Sequence, residues 1–259
     1  MYIRESTKYK HISVLFWKSL NVIIRGFHWI IPVKIKKFLG LSFIQAGNSF
    51  VVYSGTYHPV EYLNISTGSK ARLTYDRWNI IKKVISDHAI KNVFDIGCAE
   101  GYFVRKAADE FNCVAAGVDV TRERISTAFN SGLFRKHSSA AYFYCSISKI
   151  FLSNLPKFDM ILCLSIMHHI MVHNGQEYAL DLLKLIKSKT GTVLIYEMGQ
   201  SNEIESDWST QLPDMGENPY EWIKSFLSKA GYNTVEMIGE TDTYCGKSTV
   251  KRGVFAAYP

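Results

Sequence analysis

Acidic residues are missing from one long part of this sequence: between Ser6 and Val60 there is no aspartate or glutamate. The same stretch holds Lys8, Lys10, Lys18, Arg25, Lys34, Lys36 and Lys37, so it carries a charge of +7 while the rest of the chain sums to zero. Basicity is therefore confined to an N-terminal extension, and the main body is neutral. Also absent is any predominantly apolar run of about 18 residues, which argues against a spanning helix. The opening "MYIRESTKYK" is too polar to form the core of a signal peptide. No C-x-x-C pair occurs among Cys98, Cys113, Cys145, Cys163 and Cys245, and all but the last fall in expected strands or the loop after one. That pattern predicts a reducing, cytoplasmic setting with thiols as small core residues, and neither disulfides nor a metal site. With charged residues at only 20% and hydrophobic residues at 47%, disorder is excluded as well.

What is present is a regular alternation. A length of 259 residues suits one large α/β domain or two small ones. Residues 11–44 place Ile12, Leu15, Phe16, Leu20, Ile23, Phe27 and Ile30 at helical spacing, interrupted at Gly26 and Pro32. Residues 45–70 read as loop, and a helix is predicted over 73–87. From Lys91 onward, strands are predicted at 92–96, 113–120, 141–147, 158–165, 191–198, 232–238 and 252–258. Helices fit between them at 101–110, 121–131, 176–188 and 218–230. Such alternation implies a doubly wound, mainly parallel seven-stranded sheet covered on both faces. The last two strands are joined by "GETDTYCGKSTVK" without a helix, so they should form an antiparallel C-terminal hairpin. The expected organisation is an N-terminal helical extension and loop over 1–70, then one α/β domain over 71–259.

The segment "NVFDIGCAEGYFVRKAAD" is a strand, a tight turn and a helix. Gly97 and Gly101 let backbone approach a ligand closely, and Ala99 is nearly as small. Asp119, at the end of the next strand, can accept hydrogen bonds from both hydroxyls of a ribose. An adenosine-type ligand follows. A pyrophosphate would want G-x-G-x-x-G, and the carboxylate of Asp95 at the strand end would repel it. The same carboxylate suits a ligand bearing an ammonium group. The bland alternative is a D-x-G turn with satisfied polar groups.

"DIGCAEG" resembles the first motif, "DIGCGxG", of class I S-adenosylmethionine-dependent methyltransferases, with Ala99 in place of the middle glycine. "FDMILCLSIMHHI" is similar to that family's fourth-strand motif and "GTVLIYE" to its fifth strand. The resemblance implies a Rossmann-like fold, S-adenosylmethionine as cofactor, and cofactor contacts at Asp95, Gly97, Cys98, Ala99, Gly101, Asp119 and Leu164. More closely, "DIGCAEGYF", "CLSIMHHIMVHNG", "IYEMG", "YHP", "DRWNII" and the final "IGETDTYCGKSTVKRGVFAAYP" resemble the methyltransferase half of the bifunctional kinase–methyltransferases that terminate O-antigen chains. Those enzymes methylate a phosphate on a lipid-linked polysaccharide. On this resemblance Arg77 lies near the cofactor's carboxylate, and Ser146 stands where many relatives carry an acid for the adenine amine.

The acceptor decides what further chemistry is needed. A hydroxyl must lose a proton, which calls for a base such as histidine, whereas a phosphate is already anionic and needs cations. "HHIMVH" offers His168 and His169 as catalytic candidates and His173 as a substrate contact. If the pair leaves the strand in extended conformation, one of the two faces the site. Lys251 and Arg252 in the last hairpin are candidate donors to an anionic acceptor. Glu197, Glu240 and Asp242 can bind sugar hydroxyls or cap loops. The expected acceptor is a saccharide or sugar phosphate, and the resemblance admits a lipid-linked one. RNA modification ranks lower because the basic charge sits in one apolar-rich segment. A non-catalytic cofactor-binding scaffold is the reading from another class.

Residues 8–39 combine seven cations with Phe16, Trp17, Phe27, Trp29 and Phe38. A basic amphipathic segment of this kind can lie on an anionic bilayer, placing the protein peripherally at the inner face of the plasma membrane. The alternative is a helical cap on the domain. Flotation with anionic vesicles checks this: the full chain should float and a chain lacking residues 1–45 should not, and equal recovery would end the idea.

Overall fold

In a computed structural model of the protein, residues 41–46, 49–54, 57–59, 74–133, 139–245 and 248–259 are described. The basic segment 8–39 lies outside them. The chain divides into two compact units, Met1–Gly55 and Thr56–Pro259. In the first, β1 (Leu41–Ala46) and β2 (Ser49–Ser54) pair antiparallel, from Leu41 opposite Ser54 to Ala46 opposite Ser49. The helical spacing extended to residue 44 and the loop expected from 45 are corrected here. The overlooked signal is the dipeptide Gly47-Asn48 between two short β-prone runs, a hairpin marker.

The second unit begins its regular structure with α1 (Thr74–Asp87), which buries Trp78, Ile81, Val84 and Ile85 along one stripe. There follow β3 (Asn92–Ile96), α2 (Tyr102–Phe111), β4 (Val114–Asp119), α3 (Arg122–Leu133), β5 (Ala140–Tyr144), α4 (Lys149–Asn154) and β6 (Phe158–Leu164). Then come α5 (Met167–Asn174), α6 (Gln176–Lys189), β7 (Thr190–Glu197), α7 (Pro219–Lys229), β8 (Thr234–Cys245) and β9 (Ser248–Tyr258). The sheet runs in the order β5-β4-β3-β6-β7-β9-β8. Strands β3 to β7 are parallel, and β9 is antiparallel to both β7 and β8. This is the doubly wound sheet with a C-terminal hairpin that the alternation implies.

Both faces are covered, which explains why the inner strands read as nearly unbroken apolar runs. Val93, Met160, Leu162, Val193 and Ile195 pack with Trp78, Ile81 and Phe103. Their neighbours Phe94, Ile161, Cys163, Leu194 and Tyr196 face the other way, onto Leu182, Ile186 and Phe226. Helix boundaries follow local chemistry. The Asn218 side chain caps α7 by accepting from Tyr220 and Glu221 amides, with Pro219 as the first helical residue. Ser148 caps the short α4 in the same manner, accepting from Phe151.

Two expectations are corrected. Residues 239–245 and 248–251 belong to a paired ribbon rather than a loop, with ladder partners from Gly239–Val254 to Cys245–Ser248. Its period-two pattern was disguised because Thr241, Thr243 and Arg252, which are polar, point inward and are buried. Helices α4 and α5 were not anticipated. Because α5 starts at Met167, His168 and His169 sit on a helix and not on an extended strand end.

Strand order reverses between β3 and β6, so the crevice beyond their carboxyl ends is where an open α/β sheet binds its ligand. Helix α2 presses closely on β4 there. A Cβ added at Gly117 would lie 2.6 Å from Cys98 Cβ and 2.9 Å from Val104 Cγ2. Gly117→Ala should therefore lower stability by about 1–3 kcal/mol through overpacking. A urea midpoint equal to that of the native chain would refute this close contact.

Candidate cofactor and acceptor site

Strand β3 delivers Asp95 to the crevice and then turns sharply. Gly97 and Gly101 have φ of 76° and 71°, and Ala99 between them has φ of 48°. Alanine in this left-handed region costs about 1 kcal/mol, a strain of the kind that collects at functional sites. The turn is tied to β4, since the Gly97 and Cys98 amides donate to the Val118 carbonyl at 2.7 and 3.0 Å. Asp119 completes the tie: Oδ2 accepts from the Ala99 amide at 3.0 Å and Oδ1 from the Thr121 amide at 2.7 Å. Glu100 projects the other way and accepts from the Tyr57 and His58 amides, at 2.8 and 2.9 Å. This holds the 57–59 segment against the turn.

A cavity of about 470 Å³ opens at this point. Of the residues singled out by sequence, Arg77, Asp95, Gly97, Ala99, Asp119, Leu164, His168, His169 and Arg252 line it. The others do not belong to its lining. Cys98 is fully buried, its thiol pushed up by burial and by Asp95 and Asp119. Gly101 faces the Tyr142 ring. Ser146 and His173 are exposed, and Lys251 is exposed with its ammonium 3.5 Å from Glu240. Tyr57 and His58, from the quoted "YHP", also line the cavity, as do Phe103, Arg124, Ser165, Trp208 and Thr243, which were not named individually. Trp208 carried one weak signal, a lone aromatic within a polar stretch.

Asp95 is the electrostatic centre. Its Oδ2 is buried with no hydrogen-bond partner. Burial, and then the neighbouring Asp119, push its carboxyl up from 3.8 to about 8. An acid held in this way calls for a cationic partner.

A second charged group lies beside it. Glu197, at the end of β7, is fully buried and accepts from Arg77 Nε at 2.5 Å and from Arg77 Nη2 at 3.1 Å. Ser165, itself left-handed at φ 57°, donates to the same carboxylate at 2.7 Å. Arg252 donates through Nε and Nη2 to Glu203 at 2.7 and 2.6 Å, and through Nη1 to Ser165 at 3.1 Å. Burial alone would raise Glu197, but Arg77, Arg252 and Ser165 outweigh it and hold the carboxylate below its usual range. Arg252, expected as a donor in an exposed hairpin, is buried and paired with carboxylates, and Arg77 forks onto Glu197 while lining the cavity. Glu197 itself is neither a loop cap nor a surface group.

The histidines sit on α5 with ring centroids 4.1 Å apart. Consecutive helical residues diverge by only about 100°, so both can reach one cavity. His168 is buried, and its ring packs tilted against Trp208 with centroids 4.5 Å apart. Burial first, then His169 and Arg252, push it well below the ordinary histidine value, so it is neutral. His169 is exposed.

No protein family and no curated protein matches the sequence. Among solved structures, the chain is similar to the bifunctional kinase-methyltransferase WbdD, at 24% identity and a TM-score of 0.62 over 74% of this chain and 41% of that one. It is also similar to magnesium protoporphyrin IX methyltransferase (ChlM) from Synechocystis with bound SAM, at 15% identity and 0.50 over 78% and 89%. A third is an S-adenosylmethionine-dependent methyltransferase from Clostridium acetobutylicum, at 14% identity and 0.52 over 72% and 93%. The fold is that of the Rossmann-like S-adenosylmethionine-dependent methyltransferases, and the chain spans 41% of the length of the WbdD structure.

The raised Asp95 has a consequence for stability. An unfolded chain loses this proton near 3.8, whereas the folded chain keeps it to about 8. Between those values the folded state binds more protons, so this contribution to stability falls as pH rises. Asp95→Asn cannot ionise and should flatten the fall, gaining most over the native chain at and above about pH 8. Urea unfolding of ligand-free protein across that range checks it; parallel stability curves for both chains would contradict the assignment.

Proposed function

We propose that this chain is an S-adenosylmethionine-dependent O-methyltransferase acting on a phosphate or hydroxyl of a lipid-linked, cell-surface saccharide. The observation that carries the cofactor assignment is the unbonded, buried Oδ2 of Asp95 at the switch point of the sheet. An ammonium group is a fitting partner for it, and a phosphate is not. Asp119 keeps lone pairs for the two ribose hydroxyls while its backbone bonds fix its orientation. Gly97 and Ala99 present backbone and at most a methyl group to the cavity. When bound, the cofactor supplies a methyl group carried on a positively charged sulfur.

The chain's own residues do the rest. The cavity holds both partners in one enclosure, which is the main requirement of an in-line transfer. His168 and His169 line the same cavity, which supports a role for them on the acceptor oxygen in this reading. The saccharide assignment is supported by the motif resemblance to O-antigen chain-terminating enzymes and by the likeness to WbdD. In this reading residues 1–70 form an extension that brings the domain over 71–259 to an anionic inner membrane face. Among the described residues, no helix is long and apolar enough to cross a membrane.

Calorimetry with S-adenosylhomocysteine tests the cofactor assignment directly. The native chain should bind, and Asp95→Ala and Asp119→Ala should each weaken binding roughly 10- to 100-fold, the worth of hydrogen bonds to a charged group. His169→Ala should leave binding intact and lower methyl transfer. Well-folded native protein that takes up no S-adenosylhomocysteine would end the methyltransferase reading and favour a scaffold.

A further inference from the structure

We infer that the acceptor is a neutral ring hydroxyl, such as that of a saccharide, and not a phosphate, with His168 donating a hydrogen bond to the acceptor oxygen and His169 taking its proton. The inference rests on the methyltransferase reading above and narrows it.

The first argument is where the cavity's guanidinium groups are committed. Arg252 forks onto Glu203 and places Nη1 3.1 Å from Ser165 Oγ and 3.5 Å from Glu197. Arg77 forks onto Glu197. Arg124 lies 4.0 Å from Asp119 and 4.8 Å from the Tyr57 ring. Among the described residues, each arginine lining the cavity thus faces a carboxylate. A phosphate would have to displace or crowd a buried carboxylate to use any of them, and unpairing such groups is costly. A hydroxyl has no such requirement.

The second argument is the tautomer of His168. Its Nδ1 accepts a hydrogen bond from the Gly199 amide at 3.1 Å. A neutral ring that accepts at Nδ1 carries its proton on Nε2, so His168 offers a donor and no base. His169, whose ring is tilted against His168 and which lines the same cavity, is the ring assigned to take the proton. The acceptor oxygen can then receive from one histidine and give to the other.

The third is Trp208. It lines the cavity with its ring tilted against His168 and the Arg252 guanidinium over it at 5.6 Å, and its half-buried indole adds apolar surface to the cavity for the C–H side of a sugar ring. In the transfer, the acceptor O–H bond breaks with its proton going to His169. The oxygen bonds to the methyl carbon as the carbon–sulfur bond breaks, and that electron pair stays on sulfur. His169 returns the proton to solvent.

Nitrogen NMR of the imidazoles in S-adenosylhomocysteine-saturated protein, with inorganic phosphate titrated against sodium chloride at matched ionic strength, decides the matter. The expected result is an unprotonated Nδ1 and protonated Nε2 at His168. Phosphate should cause no saturable shift of the His168, His169 or Trp208 signals beyond the chloride control. A saturable phosphate shift at these residues, or a proton on His168 Nδ1, would overturn the inference while leaving cofactor binding in place. Failure of S-adenosylhomocysteine to bind would instead remove the methyltransferase reading and this inference with it.

Discussion

A carboxylate buried with one oxygen unbonded can be stable only if it keeps its proton or meets a cation, and Asp95 is held in that condition. The surroundings of Asp95 follow from this. The turn after β3 must bring backbone close to the cavity, hence Gly97 and a strained Ala99 in left-handed conformation, while Gly101 makes room for the Tyr142 ring. Asp119 must lie nearby without competing for the same partner. Its oxygens are accordingly held by the Ala99 and Thr121 amides. The two acids end adjacent parallel strands, so the sheet itself sets their separation.

The neighbouring chain of charges has a different purpose. Arg77, Glu197, Arg252 and Glu203 bring together α1, β7, β9 and the loop after β7, with Ser165 from the end of β6 between them. Burying four charges carries a large desolvation cost, offset here by forked, short hydrogen bonds. Two arginines against two glutamates leave the group neutral, so it braces one wall of the cavity without making that wall an anion site. The β8–β9 ribbon gains its inward polar side chains in this way: Thr243 Oγ1 lies 3.4 Å from Arg77 Nη2, and Arg252 closes the fork on Glu203.

Most of the architecture was legible because both sheet faces are buried. Continuous apolar runs at Met160–Leu164 and Val193–Tyr196, and the run Val93, Phe94 and Ile96 broken only by Asp95, can be little else than inner parallel strands. The cofactor end was legible for a related reason: acid, glycine and second acid are close in sequence to the strand ends that place them. The β8–β9 ribbon was hidden because its inward residues are threonines and an arginine. Helix α5 was hidden because it follows a strand without a side-chain cap.

The alternation of strands and helices, the turn with its small residues and the two acids at strand ends were determined by sequence alone, because each depends on local pattern; the order of strands across the sheet came from the folded chain. Which charges are spent on each other was decided only by tertiary structure. Arg77 and Glu197 are 120 positions apart, and Arg252 and Glu203 are 49 apart. No local pattern reveals such pairing, since it arises only when the sheet and its flanking helix bring distant side chains into one low-dielectric space. The same holds for His168, whose tautomer is set by the backbone amide of Gly199, a neighbour that only the folded chain supplies.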